Sequence, residues 1–301
     1  MQIDDQNTKE RFSRLQRYID RMPSLSTTVT KVLEICNHPN TSPNDLNKVI
    51  SLDPVLTGQV LKLINSAYYS LPNKVTSLTR AIIILGLNTV KNLALSTAIL
   101  GSLGKNTSNS LNMDHFWSHS ICVGVMAKAL ADLKRIPAPI QEEFFIAGLL
   151  HDLGKIPLSD CFSEDYAKVL DLTNRNGCDL KEAETSIFGF DHCETGRMIA
   201  EKWKLTDSIL KTLAYHHQPE SVDSMFRNMI LFVSIGNLYA NYHKIGYAGG
   251  KEPNLLDIHF IMGLSDFKWE DVLTLEEKVR LEIDKAQIFL KVGKEEQVDA
   301  G

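Results

Sequence analysis

Apolar residues recur along this chain at three- and four-residue spacing, and nowhere do they alternate long enough to support a sheet. Val29, Val32, Leu33 and Cys36 form one such stripe, in a helix opening at Pro23-Ser24-Leu25-Ser26. Asn37 to Pro43 reads as a turn, and Ser42-Pro43 starts a helix with Leu46, Val49 and Ile50 on its inner face. Asp53-Pro54 supplies an N-cap and a proline at the first helical position, which predicts a helix through Val60, Leu61 and Ile64 to Ala67. Leu71 to Ser77 is expected to be a loop, Leu78 to Leu85 a helix stopped at Gly86, and Thr89 to Leu100 another helix. Gly101 to Asn112, rich in Gly, Ser and Asn, has the composition of a linker between two helical lobes.

Beyond it, Asp114 is expected to cap a long helix that reaches Lys134 and is stopped by Pro137 and Pro139. Ile140 to Leu153 follows, closed by Gly154. Asp191 with Glu194 three residues on resembles a capping box for a helix through Trp203. Thr206 or Asp207 caps the next, which ends at His216-His217 before Pro219, and Ser224 to His243 is helical again. Trp269 to Lys291 carries Val272, Leu275, Val279, Ile283 and Ala286 on one side of a charged amphipathic helix. Such a stripe usually packs on its own domain, although it could also pair subunits into an oligomer. The fold class read from this pattern is all-α, a multi-helix bundle with two helical lobes. Residues 1–22 form a polar lead-in helix, 23–104 the first lobe, 112–245 the second, and 246–301 a C-terminal segment with the amphipathic helix.

Composition changes this picture little. The chain has 301 residues, 44% hydrophobic and 23% charged, enough for a substantial core. Lys and Arg total 32 against 37 Asp and Glu, so the formal charge of −5 leaves no electrostatic footprint for nucleic acid or an anionic membrane. The longest apolar stretch, Ala81 to Leu87, is far too short to span a bilayer, and the polar Met1 to Arg21 does not read as a secretory signal. Cys36, Cys122, Cys161, Cys178 and Cys193 form no CxxC pair, which fits reduced thiols in a cytoplasmic protein.

The histidines carry the candidate chemistry. His38, His243 and His259 read as ordinary surface or capping residues. His115 and His119, four apart, share a helix face. His151-Asp152 closes one helix, His192 opens another, and His216-His217 close a third. Imidazoles and a carboxylate delivered from separate helix ends are what a transition-metal pocket needs, because no single helix can surround a cation. Helix carboxyl ends at Asp152 and His217 also carry partial negative charge, which favours a cation.

Gly148-Leu149-Leu150-His151-Asp152-Leu153-Gly154-Lys155 resembles the signature of HD-domain metal-dependent phosphohydrolases. Phe116-Trp117-Ser118-His119-Ser120, Asp191-His192-Cys193-Glu194-Thr195-Gly196 and Tyr215-His216-His217-Gln218-Pro219 resemble the superfamily's other histidine segments, in the same order. In the first lobe, Ile50-Ser51-Leu52-Asp53-Pro54, Asn65-Ser66-Ala67-Tyr68-Tyr69, and Ala81-Ile82 with Leu85-Gly86 resemble the HDOD family, bacterial HD-related output domains of signalling systems.

The resemblance implies one or two divalent transition-metal ions (iron, manganese, zinc or nickel). Asp152 would bridge them, with His119 and His151 on one side and His192, His216 and His217 on the other. Asn237 stands where the hydrolases carry a final aspartate, so the site loses a charge and shifts toward nitrogen-preferring metals. His115 would ligate a further ion or orient His119. The Gly-Tyr-Pro loop of HD-GYP enzymes, which cleave cyclic di-GMP, is missing between His217 and Asn237, and Gly246-Tyr247-Ala248 comes too late. Two functions follow from the resemblance. One is a signalling module that binds partner proteins or a nucleotide ligand. The other is a metal-dependent phosphohydrolase in which Asp152 and Lys155 act, Lys155 neutralising charge on the phosphate. Apart from the resemblance, Lys155 reads as a solvated residue after a helix-ending glycine.

Overall fold

The computed structural model describes residues 5–36, 38, 40–103, 110–222, 224–247 and 249–295, and among them every regular element is a helix. The lead-in helix α1 (Asp5–Arg21) is polar on average but buries Leu15 and Ile19 completely, each worth about 1.5–3 kcal/mol of apolar burial. It packs against the second lobe, so its place in the chain does not give its place in the fold.

The first lobe holds α2 (Thr27–Cys36), α3 (Pro43–Ile50), α4 (Pro54–Ile64), α5 (Leu78–Leu85) and α6 (Leu87–Leu103). Ser42 closes a capping box with Asp45, and the Asp53 carboxylate accepts the Leu56 amide, as their sequence context predicts. Helix α4 ends at Ile64, short of Ala67, because the Asn65 side chain binds both the amide and the carbonyl of Val75 at 2.7 Å and turns the chain. The first three residues of the expected linker are helical instead. Gly101 to Leu103 continue α6, because Ile99, Leu100 and Leu103 all face the core, and 104–109 lie outside the described residues.

The second lobe is built on the antiparallel pair α7 (Met113–Leu133) and α8 (Ala138–Leu150). Asn112, not Asp114, caps α7, its side-chain oxygen accepting the His115 amide at 3.0 Å. Helix α8 stops at Leu150, before the expected Leu153, and a tight turn over His151–Gly154 leads into α9 (Lys155–Cys161). There follow α10 (Ser163–Asn176), α11 (Leu180–Phe188), α12 (His192–Lys202), α13 (Asp207–Tyr215) and α14 (Ser224–Tyr242). Helices α9, α10 and α11 lie where the hydrophobic pattern predicts no element.

In the C-terminal segment, α15 (Leu255–Gly263) precedes three pieces where one amphipathic helix is predicted: α16 (Trp269–Leu273), α17 (Glu276–Ala286) and α18 (Ile288–Glu295). The break after α16 has a local cause, since the Thr274 hydroxyl takes the Asp271 carbonyl at 2.7 Å and competes with the helical ladder. The bends let Val272, Val279, Phe289 and Val292 all reach the interior, with α17 on α7 and α18 back on α4 and α6. One continuous apolar cluster therefore runs through both lobes. Among the described residues no single helix is long and apolar enough to cross a membrane. The pair α5–α6 passes only by length and composition, bends by 118°, and has α6 buried along most of its length.

Candidate metal centre

Two close backbone approaches bring the histidine helices together. A Cβ on Gly148 of α8 would lie 2.6 Å from the Gly124 Cα of α7, so the two helices touch backbone to backbone there. Because they run antiparallel, His119 before Gly124 and His151 after Gly148 fall side by side, ring centroids 5.4 Å apart. A Cβ on Gly154 would lie 1.9 Å from the His192 carbonyl, which seats the turn after His151-Asp152 directly on the start of α12.

Asp152 is fully buried at the middle of this convergence. Its Oδ2 faces His151 Nε2 at 3.2 Å, His119 Nε2 at 3.7 Å and Lys155 Nζ at 2.5 Å. Its Oδ1 faces His192 Nε2 at 3.5 Å and His216 Nε2 at 3.6 Å. His217 Nε2 is 3.2 Å from His192 Nε2, which in turn is 3.3 Å from His216 Nε2. The structure thus gathers His119, His151, Asp152, His192, His216, His217 and Lys155 into one cluster. Lys155 is 3% exposed and bound to Asp152, not solvated. Asn237, partly buried on α14, lines the adjoining cavity with His216 and His217, its side-chain oxygen accepting from Asn241 at 2.9 Å. His115 is exposed, one turn from His119, and lines a separate surface cavity with Ser118 and Lys244. His38 and His259 are exposed, and His243 packs on the rings of Tyr239 and Tyr242.

Three imidazoles are held from behind through Nδ1. His151 Nδ1 lies 2.7 Å from the Gly148 carbonyl, His216 Nδ1 3.1 Å from the Thr212 carbonyl, and His192 Nδ1 2.6 Å from Glu184 Oε2. Each contact places a proton on Nδ1 and turns Nε2 inward, the arrangement of metal-ligating histidines with their outer partners. Glu184 on α11 also accepts the His192 amide at 2.9 Å, and its other oxygen accepts the Tyr166 hydroxyl at 3.3 Å.

Burial pushes His119 down to about pH 3 against the pull of Asp152. Burial likewise opposes charge on His192, but the Glu184 carboxylate outweighs it and holds this residue well above the ordinary imidazole range. His216 is raised to about 9 against the same burial effect, by Cys193 and Asp152. Burial, then His216 and His192, push His217 well down. Burial would raise the Asp152 carboxyl, but His151 and Lys155 hold it well below the usual carboxylate range.

The donor set fits a transition-metal ion. Both ring nitrogens of His119, Nε2 of His151 and Oδ1 of Asp152 are buried without a hydrogen-bond partner among the described residues, a costly state for polar atoms. Two ligands on one ion, at about 2.1 Å and roughly 90–110° apart, sit about 3.0–3.4 Å from each other. The Nε2 separations of 3.2 and 3.3 Å around His192 match that spacing. The candidate ligands fall into two groups, His119–His151–Asp152 and His192–Cys193–His216–His217. When bound, an ion would supply Lewis acidity at the edge of a cavity of about 290 Å³ lined by Lys155, His216, His217, Asn237 and Lys251.

Sequence reasoning missed Glu184 and gave Cys193 no role. Cys193 Sγ lies 4.0 Å from His216 Nδ1, and His216 and His192 together overcome burial to bring the thiol down to about 7. A signal for Glu184 existed. Leu180, Ala183, Ile187 and Phe188 form a helical stripe, and Glu184 occupies a position within it, where a buried acid needs a partner.

Comparison with known proteins places this architecture. The sequence profile of the HDOD domain matches residues 22–219. The chain is 25% identical over 253 residues to an uncharacterized protein of Treponema pallidum (strain Nichols), a match that covers 84% of this chain and 47% of that one. The chain thus spans about half the length of this curated relative. It is similar to an HDOD domain protein of unknown function from Geobacter sulfurreducens, with a TM-score of 0.75, 25% identity, and coverage of 93% of this chain and 97% of that one. It also shares the fold of a protein from Marinobacter aquaeolei VT8 named as a candidate signal transduction protein, with a TM-score of 0.71, 20% identity, and coverage of 96% of this chain and 66% of that one.

Proposed function

Because this chain belongs to the HDOD family, we propose that it is a regulatory module of bacterial signal transduction whose second lobe holds one or two divalent transition-metal ions. The observation that carries the reading is the Asp152 carboxylate, with His119 and His151 at Oδ2 and His192 and His216 at Oδ1, each imidazole presenting Nε2. Asp152 would link the two ligand groups, His217 would complete the second, and Asn237 would offer a neutral oxygen at the edge. Iron, manganese, zinc or nickel suits this nitrogen-rich set. The module acts in the cytoplasm and relays its metal-dependent state to signalling proteins or to a nucleotide ligand.

A second reading, metal-dependent phosphoester hydrolysis, is favoured by the cavity that opens on the same cluster with two lysines in its wall. There Lys155 would neutralise a phosphoryl oxygen, and Asp152 would keep the imidazoles oriented. The volume is at the low end for a ligand pocket and suits a small phosphoester.

The test is elemental analysis of the purified protein and of Asp152→Ala, followed by assay of both against a panel of phosphoesters, cyclic dinucleotides included, with added manganese or iron. Bound metal in the wild type that is lost in Asp152→Ala, without turnover, supports the regulatory module. Turnover abolished by Asp152→Ala replaces it with the hydrolase. A protein that takes up no divalent ion overturns both.

A further inference from the structure

Away from the metal centre, a cavity of about 620 Å³ opens between the C-terminal half of α1, the end of α6 and α9. Arg14, Arg17 and Arg21 of α1 line one side, Met22 and Leu103 give it apolar wall, and Asp160 of α9 faces them. The three arginines lie at i, i+3 and i+7 on one helix face, spread over roughly 10 Å of axis, wider than one phosphate group. A basic helix face is ordinarily solvated and nothing more. Here the same helix shows what a paired arginine looks like, since Arg11 binds Asp165 at 3.1 Å. Among the described residues, Arg14, Arg17 and Arg21 form no ion pair with a carboxylate. Arg14 stacks over the Phe162 ring at 5.1 Å, and Arg17 Nε donates to the Ser13 carbonyl at 3.2 Å. The acid in the wall is engaged, Asp160 Oδ2 accepting the Tyr18 hydroxyl at 2.8 Å.

We propose that this cavity is a binding site for a small molecule carrying a diphosphate. Three guanidinium groups around one concave volume complement two adjacent phosphates by charge-assisted, bidentate hydrogen bonds. The volume lies within the roughly 300–1,000 Å³ of small-molecule pockets, which leaves room for an organic moiety against Met22 and Leu103. The site is distinct from the metal centre, for α9 separates them. Asp160 stands near its last residue, and Lys155, on Asp152, is its first.

Isothermal titration with sodium pyrophosphate and with ADP, in the chelator-treated 301-residue chain without magnesium, tests this. Both probes are expected to bind, weakening as salt rises. The exposed pair Arg17→Ala/Arg21→Ala should weaken both by about tenfold or more with an unchanged circular dichroism spectrum. Asp152→Ala should bind both as the wild type does. The proposal is overturned if neither probe binds up to about 5 mM, or if the arginine pair binds both unchanged. It is also overturned if Asp152→Ala abolishes binding, or if a hexaglutamate peptide binds as tightly as pyrophosphate, which would mark an acidic-peptide surface.

Discussion

Replacing Glu184 by Gln tests whether the imidazoles are built as metal ligands or merely packed. Glu184 is fully buried and sits behind His192, with Oε2 2.6 Å from Nδ1 and 2.9 Å from the backbone amide. The amide is isosteric: with its oxygen toward His192 it still accepts both His192 donors, and its NH2 can donate to the Tyr166 hydroxyl oxygen, so the fold should be kept. What disappears is the negative charge that fixes the His192 tautomer and raises its donor strength. Loss of such an outer partner weakens metal affinity about 10- to 100-fold, or about 1.4–2.7 kcal/mol. Competition titration against a chromophoric chelator reads the affinity, and thermal unfolding of the chelated protein reads the fold. The exposed neighbour substitution Thr185→Ala serves as the control and should change neither. A Glu184→Gln protein that folds and binds metal within about twofold of wild type would refute the ligand role assigned to His192.

Three further outcomes follow from the same geometry. Asn237→Asp adds a carboxylate beside His216 and His217 and should tighten divalent-metal binding by about tenfold or more; unchanged affinity in the same titration would remove Asn237 from the site. Gly148→Ala forces a methyl against the Gly124 backbone and should cost about 1–3 kcal/mol in denaturant unfolding while lowering metal content, because His119 and His151 move apart; wild-type stability would contradict the close α7–α8 contact. Lys278 holds the Asp132 carboxyl below its usual value through their hydrogen bond, so this pair stabilises above the ordinary carboxylate pKa and is lost as pH falls through the lowered one. Both side chains are half-exposed, so Lys278→Ala should cost under about 1 kcal/mol and return Asp132 toward its ordinary pKa in an NMR titration.

Much of this molecule is legible in its sequence. The three- and four-residue spacing of Val29, Val32 and Leu33, and the caps at Ser42, Asp53 and Asp191, are local signals. Capping is settled within four residues, so the sequence suffices for it. The order of His119, His151-Asp152, His192 and His216-His217 was legible for a similar reason, since each lies at or near a helix end or face that its own neighbours define.

What the chain pattern could not reveal depended on distant partners. Lys155 reads as solvated from its neighbours, and it is buried only because the Gly154 turn seats on the His192 carbonyl of α12. The tail bends at Thr274 through a local hydroxyl–carbonyl bond, but only the packing of its pieces on α7, α4 and α6 shows that Val272, Val279, Phe289 and Val292 all reach the core. Helix α1 looks like a polar lead-in, yet it caps the second lobe and walls the arginine cavity. By itself, the sequence determined that the protein is all-helical and which residue types could hold a metal, because periodicity and capping act over one or two turns. The tertiary structure sets Asp152 between the two sets of imidazoles that the family resemblance implied, and it alone decided that Glu184 stands behind one of them. Those contacts are made across glycine-tight crossings of helices that are remote in the chain.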